Sequence, residues 1–174
     1  HIGRLFPDYR AVEQDYFART RLFPPMHVVG IRKTLVEAHP WLPVSVYKAF
    51  IDAAALCKWL PPNAFTCTVH ALEARVGGSF RMSFTNFSSG SSHSFGGEYL
   101  ELLPSQRIRY TDRFDDPQMP DLLQVSVDLT PVMGGTDLRI SQSGIPEAIP
   151  LEMCYLGWQD SLSQLADLVQ AGGA

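Results

Sequence analysis

The sequence predicts an α+β fold in which an antiparallel sheet curls around one long amphipathic C-terminal helix, with room for a cavity between them. Three observations carry this expectation. From about residue 66 to about residue 143, apolar and polar residues alternate, the period of strands with one wet and one buried face. Residues that favour turns divide this stretch at short intervals. From residue 151 the apolar period changes to three and four and holds for about twenty residues.

A first helix is expected over 44–58, where Val46/Tyr47, Phe50, Ala53/Ala54 and Cys57 share a face, and Pro61-Pro62 prevents the helix from running on. Three strands are clear. Phe80, Met82 and Phe84 alternate with Arg81, Ser83 and Thr85; Ile108, Tyr110 and Phe114 alternate with Arg107, Arg109, Thr111 and Arg113; Leu123, Val125, Val127 and Leu129 alternate with Gln124, Ser126, Asp128 and Thr130. Weaker alternation places others at about 66–75, 97–103 and 136–143. Gly77-Gly78 and Gly134-Gly135 suit tight hairpins that need positive φ. Pro104-Ser105 closes another turn, and the stretch from Asp115 to Pro120 makes a longer loop.

The final helix has Leu151, Cys154/Tyr155, Trp158, Leu162, Leu165 and Leu168/Val169 on one face. Pro150 suits its first turn and Gly172 its end. At ~1.5 Å per residue it spans roughly 30 Å, enough to cross the sheet and cover its apolar face.

With 174 residues, of which 45% are hydrophobic, the chain has the length of one domain, or of one domain with an appendage. No apolar run approaches the ~18 residues of a membrane span, and no secretory pattern opens the sequence. The three cysteines, Cys57, Cys67 and Cys154, include no Cys-x-x-Cys pair and suit a reduced, cytoplasmic protein. Residues 1–50 carry seven Lys/Arg against four Asp/Glu; residues 51–174 carry seven against fourteen, and the net charge is −4. An acidic main domain argues against nucleic acid as a partner.

Several short motifs occur together and in order. They are Val46-Tyr47-x-Ala49-Phe50 with Asp52, Leu56 and Trp59-Leu60-Pro61-Pro62; Arg75-Val76-Gly77-Gly78; Met82-Ser83-Phe84-Thr85; Gly97-Glu98-Tyr99; Arg109-Tyr110-Thr111-Asp112; and Gly157-Trp158 with Leu162. Over about residues 44–174 they resemble the helix-grip (START/Bet v-like, SRPBCC) superfamily, in the branch similar to the activator of heat shock protein 90 ATPase. The first fifty residues resemble a stretch near the end of 4,5-dihydroxyphthalate decarboxylases, through Leu5-Phe6-Pro7-Asp8-Tyr9-Arg10, Phe23-Pro24 with Met26-His27, and His39-Pro40-Trp41. The expected organisation is therefore a decarboxylase-like fragment at 1–43 and a helix-grip domain at 44–174. The helix-grip pattern begins with a strand before its first helix. Within 26–35, Val29, Ile31 and Leu35 share one parity and would supply that strand.

Parity selects the candidate ligand-binding residues Phe84, Tyr110, Asp112, Gln142 and Trp158. Asp112 falls on the apolar face with Ile108, Tyr110 and Phe114. There it is a polar contact in a cavity, an acid/base group with a perturbed pKa, or a cap for the Asp115-Asp116 turn. Tyr110 and Gln142 are each a satisfied core group or a ligand contact. Trp158 is a core ring or a cavity wall, with Gly157 leaving space beside it.

His70 is placed in a strand and His93 in the serine-rich loop, neither at metal-ligand spacing, and no metal site or cofactor is expected. Gly-x-Ser-x-Gly is absent, and no catalytic residue is assigned. Arg4, Arg10, His27 and Arg32 of the N-terminal fragment are read as surface or fold residues. The expected function is binding of a small hydrophobic molecule. The family resemblance implies a second reading, a chaperone-interaction domain, and the fold also admits an enzyme.

Overall fold

A computed structural model describes residues 15, 19, 28–30, 42–132 and 135–171. In chain order the elements are β1 (Val28–Gly30), α1 (Leu42–Ala49), α2 (Ala53–Trp59), β2 (Phe65–Leu72), β3 (Ser79–Asn86), β4 (Ser92–Leu103), β5 (Arg107–Phe114), β6 (Leu123–Val132), β7 (Gly135–Ser143) and α3 (Leu151–Ala171). The strands form one antiparallel sheet in the order β1-β7-β6-β5-β4-β3-β2. Strands β2 to β7 are a meander because each connection is short enough only for an antiparallel neighbour. β1 adds to the far edge, with Val28 opposite Arg139 and Gly30 opposite Asp137.

The α+β class and the long C-terminal helix are as expected; two boundaries differ. The helix expected over 44–58 is two helices. The chain turns at Phe50 and Ile51, and Asp52 then starts α2 by accepting the Ala55 N–H at 2.8 Å. β4 begins at Ser92 rather than near residue 97, so His93 is a strand residue and not part of the serine loop. Gly134 and the N-terminal residues Arg4, Arg10, His27 and Arg32 lie outside the described residues.

The inner face carries the alternating apolar residues. Val125, Val127 and Leu129 of β6 and Leu138 and Ile140 of β7 are buried, as are Leu162, Leu165 and Val169 of α3. Trp59 is fully buried; its indole donates to the Ala49 carbonyl at 2.8 Å and its ring meets Phe50 edge-on at 4.6 Å. The chain after α2 is tied to α3: the Ser161 hydroxyl donates to the Leu60 carbonyl at 2.7 Å and the Gln164 amide donates to the Pro61 carbonyl at 2.7 Å. These bonds hold the second half of α3 close.

Between β4 and β5 the strands approach unusually near. An ideal Cβ on Gly97 would lie 1.8 Å from the Thr111 carbonyl oxygen, so only glycine permits the approach. Gly97 falls between the inward-facing Phe95 and Tyr99 and lies beside Asp112.

Candidate binding cavity

A cavity of about 380 Å³ lies between the inner face of β3–β7, the α2–β2 connection and the first half of α3. All five residues selected from the sequence line it: Phe84 on β3, Tyr110 and Asp112 on β5, Gln142 on β7 and Trp158 on α3. Strand parity brings the first four to one face, and the helical period brings Trp158 opposite them. The Trp158 indole donates to Gln142 Oε1 at 2.9 Å, linking helix and sheet. Gly157 also lines the space; a Cβ built there would meet nothing within 4 Å.

Asp112 does not cap the 115–116 turn. Asp116 does so, accepting the Gln118 N–H at 2.9 Å. The Oδ1 atom of Asp112 is buried and has no hydrogen-bond partner among the described residues. Loss of hydration pushes its carboxyl from 3.8 up to about 7, and the Arg113 backbone N–H offsets only part of this. Burial raises the neighbouring Tyr110 phenol well above its ordinary range, and the Asp112 carboxylate adds to the effect. Tyr99 is pushed up to about 12 by burial and by Tyr47, and its hydroxyl donates to the Phe50 carbonyl at 3.3 Å.

Two aromatic groups form the walls. Phe80, Tyr99 and Tyr110 meet with ring centroids 5.6 to 6.2 Å apart. Phe84, Phe95 and Phe114 surround His93, whose ring lies 5.8, 6.2 and 6.1 Å from theirs. Burial lowers the His93 pKa, so the imidazole is neutral at neutral pH. Sequence reasoning missed His93 as a wall residue. The inward alternation His93, Phe95, Tyr99 was present, but the intervening Ser94, Gly96 and Gly97 hid it by resembling the loop before them.

His70 takes no part in the cavity; its Nε2 lies 2.8 Å from the Ser83 hydroxyl. Among the described residues no group of three or more His, Cys, Asp or Glu is placed to hold a metal ion, and no helix is long and apolar enough to cross a membrane. Cys154 lines the cavity, while Cys57 and Cys67 adjoin one another across α2 and β2.

The fold has known counterparts. A crystal structure of a protein from Chromobacterium violaceum is 57% identical, with a TM-score of 0.71 over 73% of this chain and 88% of that one. The solution structure of an AHSA1-like protein from Aeromonas hydrophila shares the fold at 20% identity, with a TM-score of 0.60 over 75% of this chain and 86% of that one. A 4,5-dihydroxyphthalate decarboxylase from Comamonas testosteroni is 37% identical over 123 residues. That match takes in 65% of this chain, more than its first fifty residues supply, yet the chain spans only 37% of the enzyme's length. The family model described as activator of Hsp90 ATPase homolog 1-like protein matches residues 42–170. The chain belongs to this activator of Hsp90 ATPase homolog 1-like family.

Proposed function

We propose that the protein binds small, largely hydrophobic molecules in the cavity between the sheet and the first half of α3. One observation carries this reading. The walls are mostly apolar and aromatic, while a few polar groups, Asp112, Tyr110 and the Gln142–Trp158 pair, converge on the same space. Such a combination is the usual make-up of a small-molecule site, and about 380 Å³ suits a ligand of one or two rings. Gly157 supports it further, since a packed core would place a side chain where this glycine leaves space.

The test is titration with 2-naphthylmethanol, read by tryptophan emission and by calorimetry. Saturable binding tighter than about millimolar supports the reading, and Gly157→Leu, which fills the space, should abolish it. No binding to the wild-type protein at that concentration would overturn it.

The family match supports a second reading, a chaperone-interaction domain. A shared fold does not carry that role by itself. Co-sedimentation with purified Hsp90, and stimulation of its ATPase, separates the two readings. Among the described residues no cavity group is paired as nucleophile and base, so enzymatic turnover is not part of the proposal.

A further inference from the structure

We propose that the cavity is built for a lipophilic amine, whose ammonium group pairs with the Asp112 carboxylate while its apolar body lies against the aromatic walls. This rests on the cavity-binding reading above and specifies its ligand class.

The starting point is the orphaned oxygen. Asp112 Oδ1 is buried without a partner among the described residues, on a face that is otherwise apolar. Such a group costs free energy unless something supplies a donor. Among the described residues no Lys or Arg lines the cavity, and the histidine there, His93, is kept neutral by burial. The described walls therefore supply no cation, either to Asp112 or to an anionic ligand.

The surroundings favour a cation over a neutral donor. An ammonium presents several N–H donors and makes charge-assisted bonds to a carboxylate; an alcohol offers one neutral donor. Tyr110 interacts with Asp112, and its ring meets those of Phe80 and Tyr99. Their faces attract a desolvated cation, which adds to the carboxylate rather than competing with it. Room for the ligand's body is left along α3 at Gly157, where a Cβ would meet nothing within 4 Å. The Trp158 indole N–H is already taken by Gln142 Oε1 across the cavity, so it does not compete for Asp112.

Three probes of matched shape test this: 2-naphthylmethylamine, 2-naphthylmethanol and 2-naphthoate. At about pH 8, where both Asp112 and the amine are charged, the amine should bind about tenfold tighter than the alcohol, and the carboxylate should bind weakest. Asp112→Asn should erase the amine's advantage over the alcohol. An alcohol that binds as well as the amine, or an amine preference that survives in Asp112→Asn, would sink the inference while leaving cavity binding intact. If none of the three binds, the cavity reading falls and this inference with it. The wild-type series decides the matter even if the variant does not fold.

Discussion

Gln142 on β7 and Trp158 on α3 hold each other across the cavity through an indole N–H to Oε1 bond of 2.9 Å. The bond links the first half of α3 to the sheet. Neither partner is fully buried, yet both face an apolar space where a lost hydrogen bond is not freely replaced by water. Trp158→Phe and Gln142→Leu should each destabilise the fold by about 1 kcal/mol, with the double variant costing less than the sum. Urea denaturation of the four proteins measures the coupling, and strict additivity would mean that the bond contributes nothing.

Asp112 should make the fold less stable as pH rises. Its carboxyl titrates at about 7 in the folded protein against 3.8 ordinarily, so the folded state holds the proton more tightly than the unfolded chain. Below about pH 4 both states are protonated and there is no penalty. Between about 4 and 7 only the unfolded chain ionises, and stability falls by at most ~1.4 kcal/mol per pH unit. Above about 7 the deficit is constant. Asp112→Asn removes the titration, so its stability advantage over wild type should open through that window and then level off. A gap independent of pH would show that the carboxyl is not the titrating group.

Strand parity alone places Phe84, Tyr110, Asp112 and Gln142 on one face, because a period of two leaves only two choices per residue and the apolar neighbours settle which. The long helix is legible for the same reason, with Trp158 on its apolar stripe. Three features are not. The break at Asp52 depends on a capping bond that competes with continued helix, and a short polar residue in an apolar pattern does not say which wins. The early start of β4 is obscured by Ser92, Ser94 and Gly96, which carry little hydropathy. The emptiness of the cavity depends on where Ser161 and Gln164 pin α3, through contacts about one hundred residues apart in sequence.

Gly157 sits inside a 21-residue helix with nothing within 4 Å of where a Cβ would be. Gly157→Ala should therefore stabilise the protein by ~0.5–1 kcal/mol through helix propensity and lost chain entropy. Thermal melting reads this directly; a destabilised variant would mean that the space closes in solution.

Cys67 should be the slowest thiol to react. Burial and the adjoining Cys57 push it up to about 12, so it holds almost no thiolate near neutral pH. Treatment with a disulfide reagent at about pH 8, read by mass spectrometry after peptide mapping, should leave Cys67 unmodified longest in the native protein. All three cysteines should react alike in denaturant. Early labelling of Cys67 in the native protein would contradict its enclosed position.

The family match begins at residue 42, so the strand Val28–Gly30 comes from outside it, yet this strand covers the β7 edge with Val29 opposite Leu138. An uncovered β7 would expose a row of backbone donors and acceptors next to the buried Leu138 and Ile140, a template for pairing with another chain. Residues 1–50 carry seven Lys/Arg against four Asp/Glu and residues 51–174 seven against fourteen, a shift in composition that sets the N-terminal stretch apart. We therefore expect limited proteolysis to remove material within residues 1–25 and to stop before Val28. A chain starting at residue 26 should keep the melting temperature of the whole protein. One starting at residue 42 should be less stable and should associate at high concentration, as light scattering would show. Equal stability and a monomeric state for both truncations would mean that β1 adds nothing to the fold. Carbon dioxide release from 4,5-dihydroxyphthalate above the buffer rate would mean that the stretch is more than a strand donor. The chain spans only 37% of the related enzyme's length, and positioning supplies much of the rate of any such reaction.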